Sequence, residues 1–306
     1  MGLNNFNDIA WNNKSYPLSL KNVIFKREKL IKFESSFKKN IGKNFHNPPK
    51  KVVYFLGYDV SNVLHIGSLI PLLNILSLLR KSKENELLIS INDIESGSSR
   101  MTEWKRIKAN ILKLKKIFTK IIHRFNDLYN TNIKLKFIIR SEKKEIWNHL
   151  VNIITIPHIE NLFRKYYNNM PLKHLISVLV MASEFFRVSE KGQMVTSYGY
   201  EELVHLNFIN ELFILKGKKS LDFIVFLPIT SPFNENKKMS KSEDSTTLSL
   251  IKNKNYLIKI KNKLSKTDFS KKKDLLYFWN FWSDIFKKPA TYSDLEIINI
   301  LEEFGS

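Results

Sequence analysis

From residue 51 to residue 228 short apolar runs alternate with longer helical ones, and this alternation restricts the fold more than any other feature. KVVYFLG (51–57) reads as a buried strand ending in Gly57. SLIPLLNILSLLRK (68–81) reads as a strongly apolar helix, and NELLISIND (85–93) as a second strand. TEWKRIKANILKLKKIFTKII (102–122) has amphipathic helical spacing, with Thr102 placed to cap it. NIKLKFIIRS (132–141) reads as a third strand, followed by helices over about 143–166, 171–188 and 200–216. LDFIVFLP (221–228) reads as the last strand, and beyond it the pattern predicts only helices, over about 254–264, 271–287 and 292–304. Strands that alternate with helices predict an α/β fold with a parallel sheet.

In such sheets ligands bind outside the carboxyl ends of the strands. That rule selects Gly57 to Ser68, Asp93 to Arg100 and Leu227 to Ser242. The 306 residues suffice for one large domain and a smaller one. Residues 1–48 form a polar, basic extension, and NPPK (47–50) marks its boundary. No apolar run reaches the length of a membrane span, so no membrane partner is expected. The absence of Cys excludes disulfides and thiolate metal sites. A net charge of +21 favours a polyanionic partner, nucleic acid first. The abundance of Lys, Asn, Ile and Phe also matches an AT-rich coding sequence, which leaves the charge open to either reading.

Two segments carry chemistry. In YDVSNVLHIGSLIPLL, Gly67 stands at the mouth of a helix two residues after His65. Helix N-termini attract phosphate, Gly lets a ligand approach the backbone, and His65 can donate to a phosphate oxygen. The bland reading makes His65 a cap. The second segment, NENKKMSKSEDST (234–246), follows the last strand and reads as a mobile loop with Lys238 and Lys241. Both follow strands, so both should converge on one side of the sheet. A helix mouth and a loop of two cations form a clamp for a triphosphate, able to close once a nucleotide binds.

At this point the sequence resembles the class I aminoacyl-tRNA synthetases. His65-Ile66-Gly67-Ser68 looks like their HIGH signature, and Lys238-Met239-Ser240-Lys241-Ser242 matches their KMSKS signature. Their order and separation, somewhat under two hundred residues, suit the subclass that handles tryptophan and tyrosine. The resemblance runs from about Val52 to the end. It implies a Rossmann-like catalytic domain over 49–235. A smaller all-helical domain over 236–306 would carry the KMSKS loop and bind tRNA. It further implies that His65, Lys238 and Lys241 are catalytic. ATP would be bound by Gly57, His65, Gly67, Ser68, Gly199 and the whole 238–242 stretch, with magnesium arriving on the ATP and no prosthetic group. Ser68 departs from the second His of the signature.

GYEELVHLNFINEL (199–212) looks like the segment that contacts ATP ribose and the amino acid, with Glu201 and Glu202 where Asp and Gln are usual. A carboxylate at 202 loses two N–H donors and adds charge. VLVMASEFF (178–186) resembles the tryptophanyl type, so that Met181 and Glu184 would line the side-chain pocket and Glu184 would accept from an indole N–H. Phe55 sits where tyrosyl enzymes carry a tyrosine, and it cannot donate. Core packing remains the plain reading for Met181 and Phe55. LHIGSLIPLL and the short gap from Pro228 to Lys238 look tyrosyl-like, which keeps that alternative in view behind tryptophan.

The resemblance also implies a homodimer built through helices between about 102 and 166, and a cytoplasmic enzyme. An organelle address stays open, although Asp8, Glu28 and Glu34 weaken it. Two other classes fit part of the pattern: a catalytically impaired RNA-binding relative, and a nucleotidyltransferase acting on a small metabolite. In the helical tail Tyr277, Phe278, Trp279 and Trp282 could stack on RNA or pack a core.

Overall fold

The computed structural model describes residues 52–250 except 63, 81–83, 99, 158, 168–171, 200–201, 219–221, 227–229, 232–233 and 239–247. It also describes 258, 262, 273–287, 299–301 and 303. The extension 1–48, Glu201, and the Met239–Ser242 part of the signature lie outside the described residues. Of the two helices expected at 254–264 and 292–304, only 258, 262, 299–301 and 303 are described, and all are helical.

Five strands form one sheet: β1 (Val52–Asp59), β2 (Glu84–Asn92), β3 (Asn132–Ile139), β4 (Gln193–Gly199) and β5 (Asp222–Phe226). Their spatial order is β3-β2-β1-β4-β5, and every neighbouring pair is parallel. This is the Rossmann-like α/β sheet that the alternation predicts. The strand order reverses between β1 and β4, which locates the ligand crevice at their carboxyl ends.

A 3-10 turn at Ile66–Leu69 leads into α1 (Ile70–Leu79), whose Pro71 stands in the first turn, where its missing N–H costs nothing. Next come α2 (Asp93–Ser98) and α3 (Trp104–Tyr129). Asn130 ends α3 in the left-handed region, its N–H donating to the Asn126 carbonyl. The single helix expected at 143–166 is two, α4 (Lys144–Ile154) and α5 (Ile159–Tyr167), because Pro157 interrupts it. Then follow α6 (Leu172–Ser189), α7 (Leu203–Leu215) and α8 (Lys273–Phe286). No helix among the described residues is long and apolar enough to cross a membrane.

Strand periodicity sends alternate residues of β1 to opposite faces. Phe55 packs edge-on against Phe185 of α6, and Tyr58 against Phe118 of α3. On the α1 side the buried Asn74 amide donates to Ser197 Oγ of β4 at 2.9 Å. The helical C-terminal part docks on this body. Helix α8 packs on α1, Arg80 pairs with Asp284, and the Tyr129 hydroxyl donates to the Ile285 carbonyl at 2.7 Å. Phe278, Trp279 and Trp282 are buried, with Trp282 lying between Phe278 and Phe286, so they serve the core rather than a stacking surface.

Three further expectations need correction. The N-cap of α3 is Glu103, not Thr102, and makes no side-chain cap bond. Strand β4 was not anticipated. Likewise the segment read as a loop from Asn234 begins as a strand: β7 (Asn234–Lys238) pairs antiparallel with β6 (Thr230–Ser231). A hairpin held by backbone bonds leaves no apolar signature in the sequence.

The chain returns to the first crossover after that hairpin. His65 and Ser249 form an antiparallel bridge, with Ile66 N donating to Leu248 O at 3.1 Å and Leu250 N donating to Leu64 O at 2.8 Å. Leu250→Pro deletes the second donor within a buried segment. It should lower unfolding free energy by about 1–3 kcal/mol in urea titration.

Candidate active site

His65 is extended (φ −124°, ψ 167°) and half-buried at the start of the 3-10 turn. Its amide donates to Ser68 Oγ at 3.4 Å, and the Ser68 amide returns a bond to the His65 carbonyl at 2.8 Å. Ser68 thus closes the turn by itself, a local reason for its presence at the fourth signature position. The helix mouth is less open than its sequence suggests, since the Ile66 and Ser68 amides are already engaged.

The bridge to Leu248–Leu250 bears directly on the lysine signature. Lys241 stands seven positions before Leu248. At about 3.6 Å per residue, a chain of that length spans at most roughly 25 Å from Leu248. Lys241 itself lies outside the described residues, and Lys238 is described only as the last backbone position of β7. On the other side of the turn, the Asp59 carboxylate holds the loop after β1. It accepts from Ser96 Oγ at 2.6 Å and from the Ser61 amide at 2.8 Å.

Between the carboxyl ends of β1, β2 and β4 lies a set of buried polar groups. Gly57 is required here by close approach: a Cβ would stand 3.1 Å from the Tyr198 hydroxyl and 3.6 Å from Asn92 Nδ2. The Tyr198 ring is nine-tenths buried and packs near Phe185. Burial pushes its hydroxyl well above the usual tyrosine range, with Arg140 opposing and Glu184 and Glu202 adding to the rise, so it stays protonated. The Thr196 hydroxyl, two residues back on the same strand face, is buried without a hydrogen-bond partner among the described residues.

Arg140, just beyond β3, is fully buried. Its Nε donates to Glu184 Oε2 at 2.7 Å, its Nη1 pairs with Glu95 of α2, and Ser90 Oγ donates to the same Glu184 oxygen at 2.6 Å. Glu184 Oε1 faces Arg187 Nη2 only at 3.9 Å. Among the described residues Glu184 Oε1, Tyr198 Oη, Asn92 Oδ1 and Asp93 Oδ2 are buried without hydrogen-bond partners. Each such group left unpaired costs about 1–3 kcal/mol, so their gathering at the strand ends marks a place for a polar ligand.

The other expected residues fall around this floor. Met181 is buried on the same helix as Glu184. Phe55 is wholly buried against Phe185, a core contact. Gly199 closes β4, and Glu202 is the N-cap of α7. Tyr198 and Arg140 were missed in the sequence. Their only signal is position at strand ends, and for Tyr198 that signal vanished with β4. Among the described residues no group of three or more His, Asp or Glu could hold a metal ion.

His205, one turn after Glu202, has its pKa lowered to about 4 by burial, with His174 adding to the effect, and its Nδ1 lies 2.9 Å from the Tyr167 hydroxyl. At neutral pH it is therefore uncharged, and its 3.7 Å approach to Glu202 is not an ion pair. Because the folded pKa lies below the unfolded 6.5, the unfolded state takes the proton first. Stability should fall as pH drops from about 6.5 to about 4 and flatten below that. His205→Gln should remove this part of the slope in urea titrations across the same range.

A family model described as tRNA synthetases class I (W and Y) matches residues 47–306. No curated protein matches the sequence. The fold is similar to the tryptophanyl-tRNA synthetase of Aeropyrum pernix, with TM-score 0.60, 14% identity, and coverage of 87% of this chain and 78% of that one. The tyrosyl-tRNA synthetase of the same organism gives TM-score 0.56, 15% identity, and coverage of 83% and 82%. The tryptophanyl-tRNA synthetase of Giardia lamblia gives 0.58, 14%, 87% and 78%. A match over most of the chain, on a sheet whose strand ends carry the signature, places this protein in the class I tRNA synthetase family of the tryptophan and tyrosine group.

Proposed function

We propose that the protein activates tryptophan with ATP and transfers it to the 3′ end of its tRNA. The observation that carries this reading is the backbone bridge from His65 to Ser249, which ties the first signature to the chain just beyond the second. The amino-acid carboxylate attacks the α-phosphorus, a C–O–P linkage forms, and pyrophosphate leaves. A ribose hydroxyl of the terminal adenosine then attacks the carbonyl carbon, and AMP leaves. His65 steadies the phosphates, while Lys241 with Lys238 neutralises charge gathering on the departing pyrophosphate. Magnesium comes with ATP and is held by its phosphates, where it offsets their charge.

Tryptophan is favoured because Phe55 offers no donor to a phenol; the buried acceptor on Glu184 serves an indole N–H or a phenol O–H alike and does not choose between them. Tyrosine is the second reading, supported by the Tyr198 hydroxyl at Gly57, a donor that Phe55 cannot supply. The exposed Lys105, Lys108 and Lys113 of α3 support a nucleic-acid partner. Exposed Trp147, Val151 and Ile154 on α4 support pairing of two copies through this region.

Exchange of pyrophosphate into ATP, run with tryptophan and tyrosine side by side, tests the reading. Exchange with tryptophan alone is expected. Exchange with tyrosine alone moves the protein to the second reading, and none with either removes catalysis. Lys241→Ala should lower kcat by about a hundredfold or more with little change in amino-acid KM.

A further inference from the structure

We propose that Arg140 is the positioning residue of the amino-acid pocket: with Ser90 it occupies one oxygen of Glu184 and leaves the other turned to a donor on the substrate ring. This rests on the synthetase reading above, in which Glu184 meets the amino-acid side chain.

A buried carboxylate free to turn would present two equivalent oxygens and no fixed direction. Here Oε2 receives Arg140 Nε at 2.7 Å and Ser90 Oγ at 2.6 Å. The same guanidinium reaches Glu95 through Nη1, so one rigid fork joins α2 and α6 to the end of β3. Ser90 adds a third fixed point from β2. What remains is Oε1, buried, with Arg187 Nη2 at 3.9 Å and no hydrogen bond among the described residues. An acceptor of fixed direction selects a substrate that donates, so an aromatic ring with an N–H or O–H is bound and an isosteric ring without one is refused. Arg140 touches neither ATP nor the reacting carboxylate in this scheme, and it acts through Glu184.

A purely structural ion pair would look similar in a stability measurement, so the test reads discrimination. Binding of L-tryptophan and of β-(3-benzothienyl)-L-alanine, which lacks the ring N–H, is measured by calorimetry on the full chain, alongside pyrophosphate exchange. The wild type should prefer tryptophan by at least about tenfold. Arg140→Lys keeps a charge but loses the fork, and the preference should fall several-fold. Ser90→Ala, which removes the second bond to Oε2 without deleting a charge, should lower it part-way. An unchanged ratio in both variants, or in Ser90→Ala if Arg140→Lys does not fold, overturns the proposal even if exchange is intact. Should the wild type bind tryptophan without exchange, catalysis fails while the ratio still decides the role of Arg140. If it binds tyrosine instead, tyrosine against phenylalanine supplies the ratio. Binding of none overturns both.

Discussion

A short backbone pairing, Leu64–Ile66 against Leu248–Leu250, holds the rest of the structure to its purpose. The two segments are almost two hundred residues apart in sequence, and Leu64, Ile66, Leu248 and Leu250 bury their side chains in the core on either side of the pairing. Backbone amides and carbonyls buried near a helix mouth must find partners, and here they find each other. The consequence is geometric: the chain that carries the lysine signature is returned to the turn that carries His65. Because backbone bonds make this tie, it tolerates wide sequence change, which is consistent with a fold shared at 14% identity.

Around the same strand ends the protein accepts an unfavourable arrangement. Arg140, Glu184 and Glu95 are charges taken out of water, and such clusters are often no more stable than an apolar core. Their gain is direction. The guanidinium and the serine determine where the carboxylate points, and Gly57 keeps the strand low enough for the Tyr198 hydroxyl to lie over it. The arrangement sits where the strand order reverses, the position at which a parallel sheet opens a crevice.

Where side chains serve only packing, the sequence predicts the structure well. Strands β1, β2 and β3 and helices α1, α3, α6 and α8 follow from apolar periodicity within a few residues at most ends, because burial on a regular element leaves a regular trace. Helix α3 is the exception, running seven residues past its expected end. Legibility fails where a residue serves the site. Strand β4, QMVTSYG, is buried along Met194–Gly199, yet it carries Thr196, Ser197 and Tyr198 in place of an apolar run. Ser197 is satisfied by Asn74 of α1, while Tyr198, on the opposite face, puts its hydroxyl at Gly57. Strand β7 hid for a different reason: its sequence, NENKK, carries no apolar residue. His65 and Glu184 were legible as site residues only through a motif. The partner that orients Glu184 was not, because an arginine at a strand end has no periodic signature.

The central claim is that the segments bearing His65 and Lys241 close together on a nucleotide. The natural sequence has no Cys, so single cysteines placed at Asn62 and Glu243 can carry spin labels without background. Pulsed dipolar spectroscopy on that pair should give a distance that shortens and narrows when a non-hydrolysable ATP analogue is added. A distribution unchanged by saturating nucleotide would contradict the account.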